Sequence, residues 1–417
     1  MIDPGVLRTD FDKLVTELER RGLTVDLDSL VGLDDSRRRL RTSAEEMRAE
    51  QKKQGQAIAT LEGVAKEESI RSAGTLADDY KAALAEADDL DRQFLDQWVR
   101  LPNFAHPSVP AGDGEEGNVE IRKWGDTAGF DFEAKDHLDL GEALGVIDVE
   151  RAAKVSGSRF AYLKGRLALL EFALVRWAMD RLTPQGFTPV VPPVLVREEA
   201  LFGTGFFPEA REQVYSIPED DLFLAGTAEI PLAALHADEI LDPAALPMRY
   251  VGFSTCFRRE AGTYGKDTRG IFRTHQFDKV EMFSFTSPEN SWEEHDFLLA
   301  QEESLVKELG LPYRVVNVCL GDLGAVAAKK YDIEVWLPGQ AAYRELTSCS
   351  NTTDYQARRL RIRSRTDSGT ETAHTLNGTV VTSSRTLIAI MENHQQPDGT
   401  IKVPDALVPF TGFDTIE

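Results

Sequence analysis

Between Phe257 and Glu281 the chain sets cations, carboxylates and one aromatic ring at intervals that suit two strands joined by a long loop. The stretch reads Phe257-Arg258-Arg259-Glu260, then a glycine-bearing segment with Lys266, Asp267, Thr268 and Arg269, then Arg273-Thr-His-Gln-Phe277-Asp-Lys-Val-Glu281. Side chains an even number apart on a strand share a face. Arg258 and Glu260 are therefore expected to point one way, and Arg273, Phe277 and Glu281 to line one side of the partner strand. Such a set suits a nucleotide and an amino acid together: guanidinium groups match phosphate oxygens, a ring stacks on a base, and carboxylates accept from ammonium or hydroxyl groups. A surface hairpin laced with ion pairs carries the same residue types, and a lone Arg-x-Glu would favour that plainer reading. There is no GxxxxGK(S/T) loop and no strand-linked GxGxxG; Gly262-Thr-Tyr-Gly265-Lys266 lacks both the spacing and the terminal hydroxyl. Any bound nucleotide would be held by side chains. Cys256, Cys319 and Cys349 stand singly, and the histidines form no HxxxH pair, so neither zinc nor a disulfide is expected.

The elements that must position these residues follow from hydrophobic pattern. Leu167 to Arg181 reads as helix, and Phe187 to Val191, Arg249 to Phe257, Phe277 to Phe285 and Arg314 to Cys319 read as strands. Strands interleaved with hairpin turns favour an α+β fold, an antiparallel sheet flanked by helices. Upstream, Leu33, Leu40, Met47 and Leu61, with Ala44 and Ile58, recur at heptad spacing. After a break expected at about 63–74 the spacing resumes through Leu76, Tyr80, Ala83, Ala87, Leu90 and Phe94. Two antiparallel helices follow, either a hairpin arm or a pair within a bundle. Leu101-Pro102-Asn103 stops the second helix, and the turn-rich stretch Pro107 to Gly117 separates residues 1–110 from 111–417.

At 417 residues two domains are expected, and no apolar run is long enough to cross a bilayer. The N-terminus, Met1-Ile2-Asp3-Pro4, has neither the basic-then-apolar order of a secretion signal nor a transit peptide's arginines, which leaves the cytoplasm as the expected compartment. A net charge of −23 opposes nonspecific adhesion to nucleic acid. RNA contact would need a local basic patch. Arg37, Arg38, Arg39, Arg41, Arg48, Lys52 and Lys53 supply one on the first long helix, while Asp78, Asp79, Glu86, Asp88, Asp89 and Asp91 load the second. Such a run is more often a solvated face than an RNA site.

Residues 257–262, Phe-Arg-Arg-Glu-Ala-Gly, together with Asp267-Thr-Arg-Gly270 and His275-Gln-Phe277, closely resemble motif 2 of the seryl-tRNA synthetases, which are class II enzymes. Gly186-Phe187 through Pro193 resembles motif 1, and Asn377-Gly378-Thr379 through Arg385-Thr-Leu resembles motif 3. Gly203-Thr-Gly205, Thr227-Ala228-Glu229 and Tyr343-Arg-Glu345-Leu-Thr-Ser348-Cys-Ser350-Asn351 follow that family's order, and the resemblance runs essentially end to end. Thr347, Tyr264, Lys266 and Val380 to Ser384 depart from its commoner residues.

The resemblance implies activation of L-serine by ATP with Mg2+, then transfer to the 3′ end of tRNA(Ser), or of tRNA(Sec) where present. Catalysis would fall to Arg258, Arg385 and Glu345. ATP would be bound by Arg258, Arg259, Glu260, Arg273, Phe277, Glu345, Leu346, Thr347, Ser348 and Arg385, with Glu345 and Ser348 on the magnesium. Thr227, Ala228, Glu229, Glu281, Asn377 and Thr379 would bind serine. Glu345 and Ser348 stand an odd number apart, so a bulge or strand end is expected between them. Residues 1–110 would be a coiled-coil arm on tRNA through Arg37, Arg38, Arg41, Arg48 and Lys52, and 111–417 the catalytic domain of a homodimer in which one subunit's arm serves the other's active site. A secondary synthetase serving antibiotic tolerance or biosynthesis, or a silent coiled-coil homologue, would share most of these features.

Overall fold

A computed structural model describes residues 1–127, 129–262, 267 and 269–417, in two compact units that divide at Leu101/Pro102. In the first, a short helix α1 (Phe11–Arg20) precedes the long helices α2 (Leu27–Ile58) and α3 (Gly63–Trp98). The Asp26 side chain caps α2 by accepting from the Ser29 N–H at 3.0 Å. The pair is antiparallel: Arg37 meets Asp91, Arg41 meets Asp88, and Arg48 lies over the Tyr80 ring. Leu30, Ala44, Ala87, Phe94 and Trp98 are buried in this unit.

The break expected over 63–74 is instead helix from Gly63 onward, and the turn is confined to residues 59–62. Val64 and Ile70 are 71% and 53% exposed there. A helix that buries so little shows no apolar periodicity, yet Ala, Lys, Glu and Arg still carry it on propensity.

The second unit is built on an eight-stranded sheet. In chain order its strands and principal helices are β1 (Val119–Trp124), α4 (His137–Ala143), α5 (Gly165–Leu182), β2 (Thr188–Val190), β3 (Met248–Phe257), β4 (Gln276–Thr286), α6 (Ser291–Glu308), β5 (Tyr313–Asn317), β6 (Lys329–Leu337), β7 (Ala342–Asn351), β8 (His374–Thr382) and α7 (Ser383–Asn393). The spatial order is β1-β5-β6-β7-β8-β4-β3-β2, antiparallel throughout except for β2 on β3. Residues 102–110, expected to belong with the arm, pack in this unit: the Asn103 amide donates to the Val326 and Thr352 carbonyls at 3.0 and 2.7 Å.

One face of the sheet is covered by α5, α6 and α7, where Leu170, Leu174, Trp177, Leu298, Leu305, Leu387 and Ile390 meet Val280, Met282 and Ile333. Side chains alternate along β4, so Glu281, Phe283 and Phe285 point to the other face. Phe283 and Phe285 pack there on Ala228, Leu232 and Ile362. Glu281 is thus held on a stiff platform.

Candidate active site

Strand alternation does not place Arg258, Glu260 and Arg273, because β3 ends at Phe257 and β4 begins at Gln276. They lie on the strand connections, and Glu260 takes a left-handed backbone conformation, φ 50°. That turn brings its carboxylate onto Arg273 Nε at 2.5 Å. Arg258 donates from Nε to the Gly226 carbonyl at 3.0 Å and lies over the Phe277 ring, 5.3 Å from its centre. It borders a cleft of about 160 Å³ lined also by Glu260, Arg273, Phe277, Glu345, Leu346, Ser348, Thr379 and Arg385.

Glu345 and Ser348 reach that cleft together because of a bulge. The β6 to β7 register pairs Ile333 with Thr347 but Glu334 with Glu345, leaving Leu346 extra. Arg385, in the first turn of α7, donates to the Glu345 carbonyl at 2.9 Å and approaches its carboxylate at 3.1 Å. Thr347 turns to the opposite face and donates to the buried Glu302 at 2.9 Å, away from the cleft. Arg259 is also outside it, exposed and stacked near Tyr215.

Glu281 sits between Gly252 and Thr379 in register and is fully buried. It accepts from the Thr227 hydroxyl, from the Glu229 N–H at 3.0 Å and from Lys279 Nζ at 2.5 Å. Burial pushes its carboxyl up, but Lys279, Thr227 and the Glu229 N–H outweigh that and hold it below the usual carboxylate range. For Glu229 the balance reverses. Burial first, then the Glu281 charge, raise its carboxyl to about 7 despite a 2.7 Å hydrogen bond from Gln356. Ala228 faces the apolar cluster under the sheet, and Asn377 lies one step along β8 from the cleft floor, its amide on the Met282 carbonyl at 3.3 Å.

A model of the tRNA synthetase class II core domain (G, H, P, S and T) matches residues 214–394, and one of the seryl-tRNA synthetase N-terminal domain matches residues 1–105. The serine–tRNA ligase of Streptomyces coelicolor is 51% identical over 416 residues, 99% of this chain and 98% of that protein. The chain belongs to the serine–tRNA ligase family. Among solved structures, the Pyrococcus horikoshii seryl-tRNA synthetase complexed with ATP is similar at 42% identity and a TM-score of 0.91, covering 100% of this chain and 99% of that one. The cytoplasmic serine–tRNA ligase of Naegleria fowleri in complex with AMP follows at 33% identity and 0.88, with the same coverage.

Within this ligase fold several site residues escape a reading of the motifs. Lys279 and Phe272 line the cleft, and Phe272 lies between the guanidiniums of Arg344 and Arg385, at 4.2 and 4.9 Å. Gln213 brackets Glu260: its carbonyl takes the Arg259 N–H at 2.9 Å, and its side-chain amide exchanges two hydrogen bonds with Ala261, at 3.0 and 2.8 Å. Past the loop, the buried pair His137–Glu392, 3.0 Å apart, receives the Ile271 N–H at 3.2 Å. Apart from Lys279, two positions before Glu281 on the same strand face, no spacing rule announces these partners, since they join segments distant in sequence. The arm cations expected to meet tRNA divide: Arg37 and Arg41 are engaged by Asp34, Asp88 and Asp91, while Arg38, Arg48 and Lys52 are exposed. Lys266 and Thr268 fall outside the described residues.

Proposed function

We propose that this cleft joins serine to the α-phosphate of ATP and that the protein then passes the seryl group to the 3′ end of tRNA(Ser), or of tRNA(Sec) where present. The observation that carries the reading is the register pairing of the buried Glu281 with Thr379, which lines the cleft together with Arg258 and Arg385. A carboxylate and a hydroxyl that can bond a small hydroxylated side chain thus adjoin two guanidiniums suited to phosphates. The Streptomyces coelicolor relative's name and the Pyrococcus horikoshii complex with ATP support the same assignment.

A serine carboxylate oxygen attacks the α-phosphorus in line, the new O–P bond forming as the bond to pyrophosphate breaks. Nucleophile and leaving group are both anionic at neutral pH, so no general base is required, and catalysis reduces to placement and charge neutralisation. Arg258 meets the α-phosphate, Arg385 the terminal phosphates, and Phe277 the adenine, with Glu260 and Arg273 beside it. Thr227 and Glu229 take the serine ammonium, and Glu281 with Thr379 the hydroxyl. A ribose hydroxyl then attacks the carbonyl of the mixed anhydride, releasing AMP.

Magnesium fits the same wall. The bulge puts Glu345 and Ser348 oxygens on one face, and Asp332, across from Ser348, keeps a buried Oδ1 with no hydrogen-bond partner. Among the described residues no group of three or more His, Cys, Asp or Glu is arranged to hold a metal alone, as suits an ion that shares its shell with phosphates. When bound there, magnesium would neutralise phosphate charge.

Leu169 and Phe172 on α5 and Val191 in the motif 1 stretch are exposed at 55%, 67% and 77%, an apolar set that a second copy would cover in a homodimer. Arg38, Arg48 and Lys52 are the arm's available cations for tRNA phosphates. No helix among the described residues is long and apolar enough to cross a membrane, and the cytoplasm, where tRNA is charged, is the working compartment of this reading. Serine-dependent exchange of pyrophosphate into ATP, followed by charging of purified tRNA(Ser), tests it. Absence of exchange with active protein overturns it.

A further inference from the structure

Glu281 would be of little use to serine if its carboxylate were free to rotate or to protonate, and the residue that prevents both lies two positions before it. Lys279 and Glu281 share the cleft face of β4. The Lys279 ammonium, 11% exposed on its side chain, donates to Glu281 Oε1 at 2.5 Å and lies 3.3 Å from the Thr227 hydroxyl. Thr227 and the Glu229 N–H meanwhile occupy Oε2. An ammonium has three N–H donors. Two are accounted for, and the group borders the cleft alongside Arg258, Thr379 and Thr382.

We propose that Lys279 determines specificity for serine: it fixes the Glu281 carboxylate so that the lone pair left on Oε1 meets the substrate hydroxyl, and it offers its third N–H to the substrate carboxylate. The inference rests on the reading of this cleft as the serine site.

Arg258 has already committed Nε to the Gly226 carbonyl, and in the proposed reaction its other nitrogens go to phosphate oxygens. A second cation is therefore needed for the amino acid's own carboxylate, and Lys279 is the one within reach of both Glu281 and Thr227. Rejection of alanine follows from the same arrangement. An ionised, buried carboxylate left without its hydroxyl partner loses far more than a neutral acid would, which is how a hydrogen-bonding site refuses an analogue lacking the group. A purely structural ion pair has no reason to sit at the rim of the cleft, where it could be replaced by apolar packing at little cost.

Pyrophosphate exchange on the intact protein, with Lys279→Met and Lys279→Arg, separates these possibilities. In Lys279→Met we expect the serine KM to rise by about 30-fold or more and the preference for serine over alanine to fall at least about tenfold, while the ATP KM stays within about threefold. Lys279→Arg keeps the positive charge and should retain more of the preference than the Met variant. An unchanged serine KM and preference in Lys279→Met overturns the proposal. So does an equal loss for serine and ATP, or an Arg variant whose preference is as low as the Met variant's; if Lys279→Met does not fold, an Arg variant with an undiminished ATP KM and no serine preference overturns it as well. Wild-type protein without serine-dependent exchange would instead remove the underlying assignment of the cleft.

Discussion

Glu229 and Glu281 adjoin, the Glu229 N–H donating to the Glu281 carboxylate at 3.0 Å, and are driven to opposite protonation states. Burial and the neighbouring Glu281 charge raise Glu229 to about 7, whereas Lys279, Thr227 and a backbone N–H hold Glu281 low. Below pH 7 the free protein therefore carries a proton on Glu229 that serine's ammonium must displace. The serine KM should rise up to about tenfold per unit as pH falls below about 7, level off on the alkaline side, and lose this dependence in Glu229→Gln. Exchange kinetics from pH 6 to 8 read this directly, and a flat wild-type profile removes Glu229 from the ammonium site. Arg258→Ala should lower the exchange kcat by about 10²- to 10³-fold with little change in serine KM, as expected of a group that stabilises developing charge. Gln213→Met should weaken ATP, with a KM about tenfold higher and serine KM unchanged, because the left-handed Glu260 loses the two side-chain bonds that hold Ala261 next to it. Type and order gathered Arg258, Glu260, Arg273, Phe277, Glu345, Ser348 and Arg385 correctly into one cleft, but not Arg259 or Thr347. Gln213 and Phe272 were not legible, because their roles depend on where the chain returns.

Alternation and period located the elements well where one face is buried. Arg249 to Phe257 and Phe277 to Phe285 became β3 and β4 with only small shifts at their ends. The pattern failed where its physical cause was missing: residues 63–74 are helical but solvated all round, and Arg258 and Glu260 lie beyond the strand whose periodicity was meant to orient them. The odd spacing of Glu345 and Ser348 did signal the bulge at Leu346. On the arm, sequence alone could not separate cations that bind helix to helix from those left for RNA. Charge reversal at Arg48 and Lys52 should reduce kcat/KM for tRNA and lower the salt slope by about one for each phosphate no longer neutralised, leaving pyrophosphate exchange intact. Arg41→Glu should act differently, loosening the helix pair and lowering the arm's thermal stability through repulsion from Asp88 and Asp91. Unchanged tRNA kinetics in the first variant would take Arg48 and Lys52 out of the RNA interface.

Two units, a broad sheet and a helical pair were all expected from length, pattern and the connector after Leu101, but an apolar surface left uncovered is visible only in three dimensions. Phe172→Glu, at a position 67% exposed, should shift a homodimer toward monomers in sedimentation and reduce aminoacylation with it. A dimer of unaltered stability would rule out this face as the seam. The charge balance of the chain also takes on a meaning. With −23 overall and Arg38, Arg48 and Lys52 exposed on its arm, the molecule carries a net charge that opposes the approach of polyanions. On the proposed use of the arm, sorting among cellular RNAs begins by refusal: a stray transcript is turned away within about 8 Å at physiological salt, and only a shape that can reach the arm's exposed cations first is granted time to dock.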